Sequence, residues 1–131
     1  MTLESFNLEI ISPSQTLIKS QADEVIIPAF EGEMTILRDH ISLVTFLRPG
    51  LIEVKDKNNI HKYYAEDGTV EFNKNNLLIL SSSITNVKSI SNDDVDKMII
   101  EAKKKISKRE IKDKEKYILS YKIETLKNLN Q

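Results

Sequence analysis

The hydrophobic pattern changes its period near residue 90, and this change constrains the fold more than any other feature of the sequence. Before it, apolar residues alternate with polar ones or form short runs between turn residues, which is typical of β-strands. After it, apolar residues recur at three- and four-residue spacing, which is typical of amphipathic helices. We therefore expect a β domain over residues 1–89 and a helical segment over residues 90–131.

About ten short strands are predicted in the first part. Phe6, Leu8 and Ile10 alternate with their neighbours up to a turn at Ser12-Pro13-Ser14. The other strands are predicted at or near Leu17–Lys19, Glu24–Ile27 (ended by Pro28), Met34–Leu37, Leu43–Leu47, Leu51–Lys55, His61–Ala65, Val70–Asn73, Asn76–Leu80 and Ile84–Lys88. Many short strands with frequent turns indicate a β-sandwich or a flattened barrel.

Glycine, proline and asparagine mark the predicted turns. Gly32 makes one turn, and Pro49-Gly50 fits a type II turn in which Gly50 takes the positive φ. Asp67-Gly68 predicts a two-residue hairpin with a type I′ turn. Further turns are predicted at Lys57-Asn58-Asn59 and at Lys74-Asn75.

Two helices are predicted after the change of period. Ser91 is a candidate N-cap, and Asp93 and Asp94 suit the first turn. The apolar stripe of the first helix is Val95, Met98, Ile99, Ala102 and Ile106, and that of the second, starting near Glu110, is Ile111, Ile118, Leu126 and Leu129. Lys122 falls within the second stripe, so we expect its amine to reach water. Two helices cannot bury these stripes alone, so they pack as a hairpin, on the sheet or on a partner.

Composition and charge exclude several classes of protein. The chain of 131 residues has no cysteine, which excludes disulfides, thiol nucleophiles and thiolate metal sites. We expect no membrane span and no secretory or transit signal. Residues 1–90 hold 8 Lys and Arg against 12 Asp and Glu, whereas residues 91–131 hold 11 against 8. The asymmetry indicates either two solvated surfaces or a basic tail that meets an acidic protein. Nucleic acid is not expected, because the basic residues are interleaved with acids and lack stacking aromatics.

The residues that could carry chemistry do not form a recognisable catalytic pattern. Glu31 and Glu33 flank Gly32, where a solvated turn is a better interpretation than an acid–base pair. Asp39 precedes His40, but no serine elbow and no metal-ligand spacing accompanies them. We therefore expect no enzyme activity, metal or cofactor, and we interpret His40 as a surface or turn residue.

Several ordered motifs carry a resemblance to a known family. They are Ile11-Ser12-Pro13; Ala22-Asp23 leading to Val25-Ile26-Ile27-Pro28; Glu31-Gly32-Glu33-Met34 with Ile36-Leu37 and His40; Leu43, Thr45 and Leu47 with Pro49-Gly50; and Tyr64, Gly68, Val70-Glu71 and Asn76–Leu80. On these residues the chain resembles the ε subunits of bacterial and plastid-type ATP synthases, whose mitochondrial counterpart is called δ.

The resemblance implies an α+β fold, with a ten-stranded β-sandwich or flattened barrel followed by an antiparallel two-helix hairpin. It also implies a non-catalytic rotor subunit of the central stalk that couples the γ subunit to the c-ring. The helical hairpin would be regulatory and could inhibit ATP hydrolysis by reaching the catalytic β subunits. The subunit would be peripheral, at the cytoplasmic side of a bacterial plasma membrane or the stromal side of a thylakoid.

The resemblance also implies roles for individual residues. Glu33 would face the c-ring, and His40 and Thr45 would face γ or the c-ring. The basic residues that could meet an acidic segment of a β subunit are Lys103, Lys104, Lys105, Lys108 and Arg109.

Three motifs depart from the pattern of the family. Many members have Pro-Gly where this chain has Arg38-Asp39, and Gly-Gly where it has Asp67-Gly68. The stretch Val95–Ile100 lacks the Arg and Ala of the pattern that binds ATP in some members, so we expect no bound nucleotide.

Two other functions compete with this interpretation. A free-standing barrel that binds a small ligand under a helical lid predicts a sizeable apolar cavity inside the barrel. A hydrolase built on His40 with Asp39 or Glu33 predicts that the isolated chain has an activity that depends on His40.

Overall fold

The computed structural model describes residues 4–13 and 15–129, so Ser14 of the predicted turn at residues 12–14 lies outside the described residues. The elements are β1 (Phe6–Ser12), β2 (Gln15–Ala22), β3 (Glu24–Ala29), β4 (Gly32–Leu37), β5 (Leu43–Leu47), β6 (Gly50–Asp56), β7 (Asn59–Ala65), β8 (Gly68–Asn73), β9 (Asn76–Leu80), β10 (Thr85–Asn86), a 3₁₀ turn (Val87–Ser89), α1 (Asn92–Ile106) and α2 (Asp113–Leu129). The predicted α+β class, with about ten strands before two helices, is confirmed.

The strands form one strongly curled sheet that makes both layers of the sandwich. Their hydrogen-bonded order is β10-β7-β6-β3-β5-β8-β9-β1-β2, and β4 pairs with the remaining edge of β3. The sheet changes layer at β3, which pairs with β6 over Glu24–Ile26 but with β5 only at Ala29. β1 runs parallel to β9, so the first strand is inserted beside one of the last.

The core follows from the alternation of side chains along each strand. Phe6, Leu8 and Ile10 are buried, as their spacing predicts, and Phe6 meets the ring of Phe72 edge-on at 5.6 Å between centroids. The core cluster is Phe6, Leu8, Ile10, Ala22, Val25, Ile27, Ala29, Ile36, Leu47, Ile52, Val54, Tyr63, Ala65, Val70, Phe72, Leu77 and Ile79. Side chains thus fill the space where the ligand-binding hypothesis expects a cavity.

The turn prediction at Pro49-Gly50 is wrong, although a glycine is needed there. Gly50 is not among the residues with positive φ, and it begins β6 instead of completing a type II turn. A Cβ atom on Gly50 would lie 2.5 Å from Cβ of Pro28. Close approach of two strands, and not backbone handedness, explains this glycine.

The predicted hairpin at Asp67-Gly68 is also wrong. β7 and β8, which flank it, do not pair: β7 pairs with β6 and β10, and β8 pairs with β5 and β9. Gly68 has φ of 153°, and a Cβ there would lie 2.7 Å from the carbonyl oxygen of Leu80. The connection therefore carries the chain from one layer to the other, which a local turn pattern cannot reveal.

Two other predicted turns are present in the structure, and one predicted strand end is not. β6–β7 and β8–β9 are hairpins, with positive φ at Lys57 in the first and at Lys74 and Asn75 in the second, so both turns are confirmed. The prediction that Pro28 ends its strand is wrong, because β3 continues to Ala29. The carbonyl oxygen of Pro28 accepts a hydrogen bond from the Arg48 amide at 2.9 Å where the sheet changes layer.

The two helices pack on each other and on the sandwich; they are called the helical hairpin below. The Ser91 hydroxyl accepts a hydrogen bond from the Asp94 amide at 3.1 Å, which confirms the predicted N-cap. Val95 of α1 and Leu126 of α2 are buried against Tyr64 of β7. The second helix starts at Asp113, so Ile111 precedes it and does not belong to its stripe.

Lys122 corrects a further expectation. Its amine lies 3.0 Å from a carboxylate oxygen of Glu66, and its side chain is only 20% exposed. The same carboxylate oxygen accepts a hydrogen bond from the Tyr64 hydroxyl at 3.2 Å. The Lys122 ammonium therefore pairs with a carboxylate of the sandwich, and the expectation that it reaches water is wrong.

Candidate docking surface

The outward side of β5, β8, β9 and β1 presents apolar side chains to solvent. Phe46 lies opposite Thr69 on β8, and Thr69 lies opposite Leu80 on β9. Because paired residues of neighbouring strands share one side of a sheet, Phe46 and Leu80 belong to the same side. Val44, two residues from Phe46, also points outward. Val44, Phe46 and Leu80 are called the apolar face below, and they are 72%, 59% and 43% exposed.

Thr45 lies between two residues of the apolar face but points to the opposite side. It is only 5% exposed, and its hydroxyl is 3.0 and 2.9 Å from the two carboxylate oxygens of Glu31. Strand alternation causes this arrangement, because Leu43, Thr45 and Leu47 face inward whereas Val44 and Phe46 face outward. The expectation that Thr45 itself faces a partner is therefore wrong for this conformation: its neighbours do.

A groove of about 850 Å³ runs from the apolar face to the first turns of α2. The sandwich contributes Ile11, Phe30, Phe46 and Leu80 to its walls, and α2 contributes Lys114 and Ile118. The groove is thus an apolar surface feature built from both parts of the chain.

His40 lies in the loop between β4 and β5, where its ring is held by two contacts. Its Nδ1 donates to the carbonyl oxygen of Ile41 at 2.8 Å, and its ring meets the edge of Phe72 at 5.9 Å between centroids. Asp39 has φ of 65°, a left-handed conformation that glycine adopts most readily. Ile41, which follows, is 78% exposed.

Glu33 lies apart from His40, on β4, and is exposed. With Gly50, Arg48, Tyr121 and other residues it lines a small cleft of about 240 Å³, which is called the Arg48 cleft below. Glu31, by contrast, is engaged by Thr45, so the two carboxylates have different surroundings and do not converge on one site. Phe30 and Glu31 form the turn between β3 and β4, and Gly32, with φ of 143°, is the first residue of β4 and not part of the turn.

The basic residues of the tail cluster at the free end of the helical hairpin. The last turn of α1 contains Lys103, Lys104 and Lys105. The connection to α2 contains Lys108 and Arg109, and all five side chains are exposed. None of them joins an ion pair within 4.0 Å among residues 4–13 and 15–129. Their charge is therefore available to a partner.

The helical hairpin is fastened to the sandwich by polar groups as well as apolar ones. Burial, reinforced by the nearby Glu66 carboxylate, raises the pKa of Tyr64 well above its usual value. Tyr64 therefore stays a hydrogen-bond donor to Glu66, which in turn holds Lys122 of α2. A second attachment joins Arg48 to Tyr117 and Tyr121.

The structure does not assemble the chemistry that the hydrolase hypothesis needs. His40 uses Nδ1 on a backbone carbonyl, and Asp39 is bound to Asn75 instead of to His40. His61 lies on β7 and is opposite Val54. Within the described part of the chain, no three His, Cys, Asp or Glu residues converge as metal ligands. None of the described helices is long and apolar enough to cross a membrane.

Sequence reasoning missed the apolar face and the Arg48 attachment. The signal for the first was the alternation in Leu43–Leu47, where one set of apolar residues must point outward. No signal marked Arg48, because its partners lie 69 and more positions away on α2. Together, these features define a class of protein: a subunit of a larger assembly, with an exposed sheet face and a docked helical hairpin.

Comparison with known proteins identifies the family. Residues 5–87 match the family model of the β-sandwich domain of the ATP synthase delta/epsilon chain. The ATP synthase epsilon chain of Pelagibacter ubique is 44% identical over 128 residues, with 97% of this chain and 98% of the relative covered. That of Allorhizobium ampelinum is 32% identical, with 95% and 90% covered. The chain therefore belongs to the delta/epsilon family of ATP synthase subunits, a family of rotor-stalk subunits of an enzyme complex.

Solved structures show the same fold. A chain of the mitochondrial ATP synthase of Euglena gracilis, from a structure of OSCP, F1 and the c-ring, has a TM-score of 0.79 at 20% identity, with 95% of this chain and 80% of that one covered. A chain of the Tetrahymena thermophila mitochondrial enzyme, from a structure of its central stalk and c-ring, has a TM-score of 0.65 at 14% identity, with 95% and 96% covered. Both likenesses concern the fold alone.

Proposed function

We propose that the chain is a non-catalytic rotor subunit of the central stalk of a proton-translocating ATP synthase, in which its sandwich couples the γ subunit to the c-ring. The observation that carries the proposal, beside family membership, is the apolar face. Three large apolar side chains on one side of a sheet are costly to leave in water, and such patches are typical of interaction surfaces.

The γ subunit is the partner that we assign to the apolar face. Val44, Phe46 and Leu80 offer an apolar patch that a neighbouring subunit can desolvate. The groove beside Phe46 provides a concave site for protruding side chains of γ. Buried aromatic residues commonly dominate the binding energy of such interfaces, so we expect Phe46 to be the principal anchor.

The c-ring is the partner that we assign to the region of Glu33. This residue is exposed on β4, which pairs with β3 alone among the strands of residues 4–13 and 15–129. A polar, charged surface suits contact with polar loops, and such contacts contribute to specificity and register more than to affinity.

The helical hairpin, over residues 90–131, is the regulatory part in this proposal. It is docked on the sandwich, and its five exposed cations at the free end suit an acidic segment of a catalytic β subunit. We propose that the helical hairpin leaves the sandwich to reach that segment, so that inhibition of ATP hydrolysis competes with docking. We propose that the complex lies peripherally on the cytoplasmic side of a bacterial plasma membrane or on the stromal side of a thylakoid.

Co-purification tests the central claim. A tagged chain is isolated from detergent-solubilised membranes of its own cells, and the recovered subunits are identified by mass spectrometry. Recovery with α, β, γ and c subunits is the expected result, and recovery alone from the soluble fraction would contradict it.

Two matched variants test the docking surface. Phe46→Asp should abolish recovery of γ, because it places a charge at the centre of the apolar face. Ile60→Asp is the control, since Ile60 is similarly exposed (54%) but lies on β7. Equal recovery of γ by both variants would show that γ binds elsewhere.

A further inference from the structure

Arg48 holds a position from which it reaches the helical hairpin while its backbone stays fixed in the sheet. It lies between β5 and β6, and its amide donates to the carbonyl oxygen of Pro28 at 2.9 Å. Two residues before it, the carbonyl oxygen of Phe46 accepts from the amide of Phe30, also at 2.9 Å. The base of the Arg48 side chain is therefore rigid, and any movement at this contact belongs to α2.

The Arg48 guanidinium binds two tyrosines of α2 and no carboxylate. Its Cζ lies 3.7 Å from the centroid of the Tyr121 ring, a close cation–π contact. Its Nη1 donates to the hydroxyl of Tyr117 at 3.1 Å. Its Nε is buried without a hydrogen-bond partner in the described residues. Glu33, Glu53 and Glu124 line the same cleft, yet none forms an ion pair with Arg48 within 4.0 Å.

Tyr117 extends the contact from Arg48 to the rim of the groove. Its hydroxyl donates to the carbonyl oxygen of Phe30 at 2.7 Å, and its ring stacks on the Phe30 ring at 5.4 Å between centroids. Tyr117 and Tyr121 also meet edge to face at 4.9 Å. Two aromatic rings on neighbouring turns of α2 thus contact Arg48 and Phe30.

The two attachments of α2 differ in what their release would expose. At the attachment around Tyr64, Leu126 is fully buried with Tyr64 and Val95, so its release would expose apolar surface. At Arg48, release would return a guanidinium with an unpaired Nε to water, which offsets part of the lost contact energy. Hydration of the guanidinium therefore lowers the cost of releasing the attachment at Arg48.

We propose that Arg48, Tyr117 and Tyr121 form a latch that sets how often the first half of α2 leaves the sandwich. Because Lys114 and Ile118 flank Tyr117 and form the helical wall of the groove, the state of the latch also decides whether the groove is complete. The affinity of a partner that binds in the groove therefore depends on the position of α2. The inference deepens the regulatory role proposed above, but the latch exists in the isolated chain and can be tested there.

Native-state hydrogen exchange of the full-length isolated chain is the test. Arg48→Gln and Tyr121→Leu each remove the cation–π contact, so amide exchange in residues 117–124 should accelerate about 10-fold, equivalent to roughly 1.4 kcal/mol. Amides of β8 should exchange at the wild-type rate. Tyr121→Phe is the matched control, because it retains the ring that the Arg48 guanidinium contacts. It should leave both segments unchanged.

Two outcomes would overturn the latch. If exchange in residues 117–124 keeps its wild-type rate in Arg48→Gln and in Tyr121→Leu, the contact does not limit undocking. If α2 and β8 accelerate together, Arg48 stabilises the whole fold and does not gate the helix. Neither outcome bears on co-purification with α, β, γ and c subunits, so the latch and the proposed function can fail separately.

Discussion

Asp39 and Asn75 bind each other across 36 positions of sequence, and both have left-handed backbone conformations, with φ of 65° and 61°. The Asn75 side-chain oxygen accepts from the Asp39 amide at 2.7 Å, and its side-chain NH₂ donates to the Asp39 carboxylate at 2.9 Å. The pair joins the loop that carries His40 to the β8–β9 hairpin. It therefore fixes the position of this loop on the sandwich.

Removing the Asn75 side chain should loosen this loop. Asn75→Ala loses two hydrogen bonds and places alanine at positive φ, so we expect a loss of about 1–3 kcal/mol in the free energy of unfolding. Asn75→Gly separates the two causes, because glycine accepts the backbone conformation but lacks the side chain. Urea denaturation measures both variants, and the expected order of stability is wild type, Asn75→Gly, Asn75→Ala. Equal stability of all three proteins would show that the pair contributes nothing.

Gly50 should be intolerant of a methyl group. Gly50→Ala forces its Cβ to within 2.5 Å of Cβ of Pro28 unless the strands separate, so we expect a loss of about 1–3 kcal/mol in urea denaturation. In a Pro28→Gly background the clashing atom is absent, and the additional cost of Gly50→Ala should largely disappear. If Gly50→Ala costs the same free energy of unfolding in both backgrounds, contact with Pro28 is not the reason why position 50 needs glycine.

Stability should fall at alkaline pH, partly because of Tyr64. Burial and Glu66 raise the pKa of this phenol in the folded state above the usual value of 10.0. Above about pH 10 the unfolded chain loses the Tyr64 proton whereas the folded chain retains it. The free energy of unfolding therefore falls as pH rises, by at most about 1.4 kcal/mol per pH unit for this group, and is unaffected by it at lower pH.

Tyr64→Phe measures this contribution. Urea denaturation between pH 8 and pH 11 should give a shallower decline for the variant than for the wild type. Some decline remains, because burial also raises the pKa of Tyr63, and hydrogen bonding to Glu24 raises that of Lys55. Parallel curves for the two proteins would mean that Tyr64 ionises equally in the folded and unfolded chains.

Removing the helical hairpin should separate coupling from regulation. A chain ending before Ser91 retains the apolar face and Glu33, so we expect normal assembly and a several-fold rise in ATP hydrolysis by the complex. Replacing Lys103, Lys104 and Lys105 by glutamate should also raise hydrolysis, since it reverses the charge proposed to meet the β subunit. ATPase assays of membranes and subunit stoichiometry provide the readouts. Loss of assembly in the shortened chain would assign the hairpin a structural role.

Much of this architecture could be predicted from local patterns. The alternation at Phe6–Ile10, the Ser91 cap and the apolar stripe of α1 each appear in the structure as predicted, because a strand or helix imposes its period on neighbouring residues. The connections were less predictable. Asp67-Gly68 has the composition of a hairpin but joins two layers, because β7 and β8 have better partners elsewhere in the sheet.

The sequence by itself determined the number and type of elements, the resemblance to the family and the lack of a recognisable catalytic pattern. Only the tertiary structure decided which residues of β5 face water, what Lys122 binds and why Gly50 is needed. Those answers depend on contacts between residues far apart in the chain, such as Arg48 with Tyr121 and Asp39 with Asn75. The hydrophobic period of the sequence does not predict such pairs, since they form only when the sheet has curled and the helical hairpin has docked.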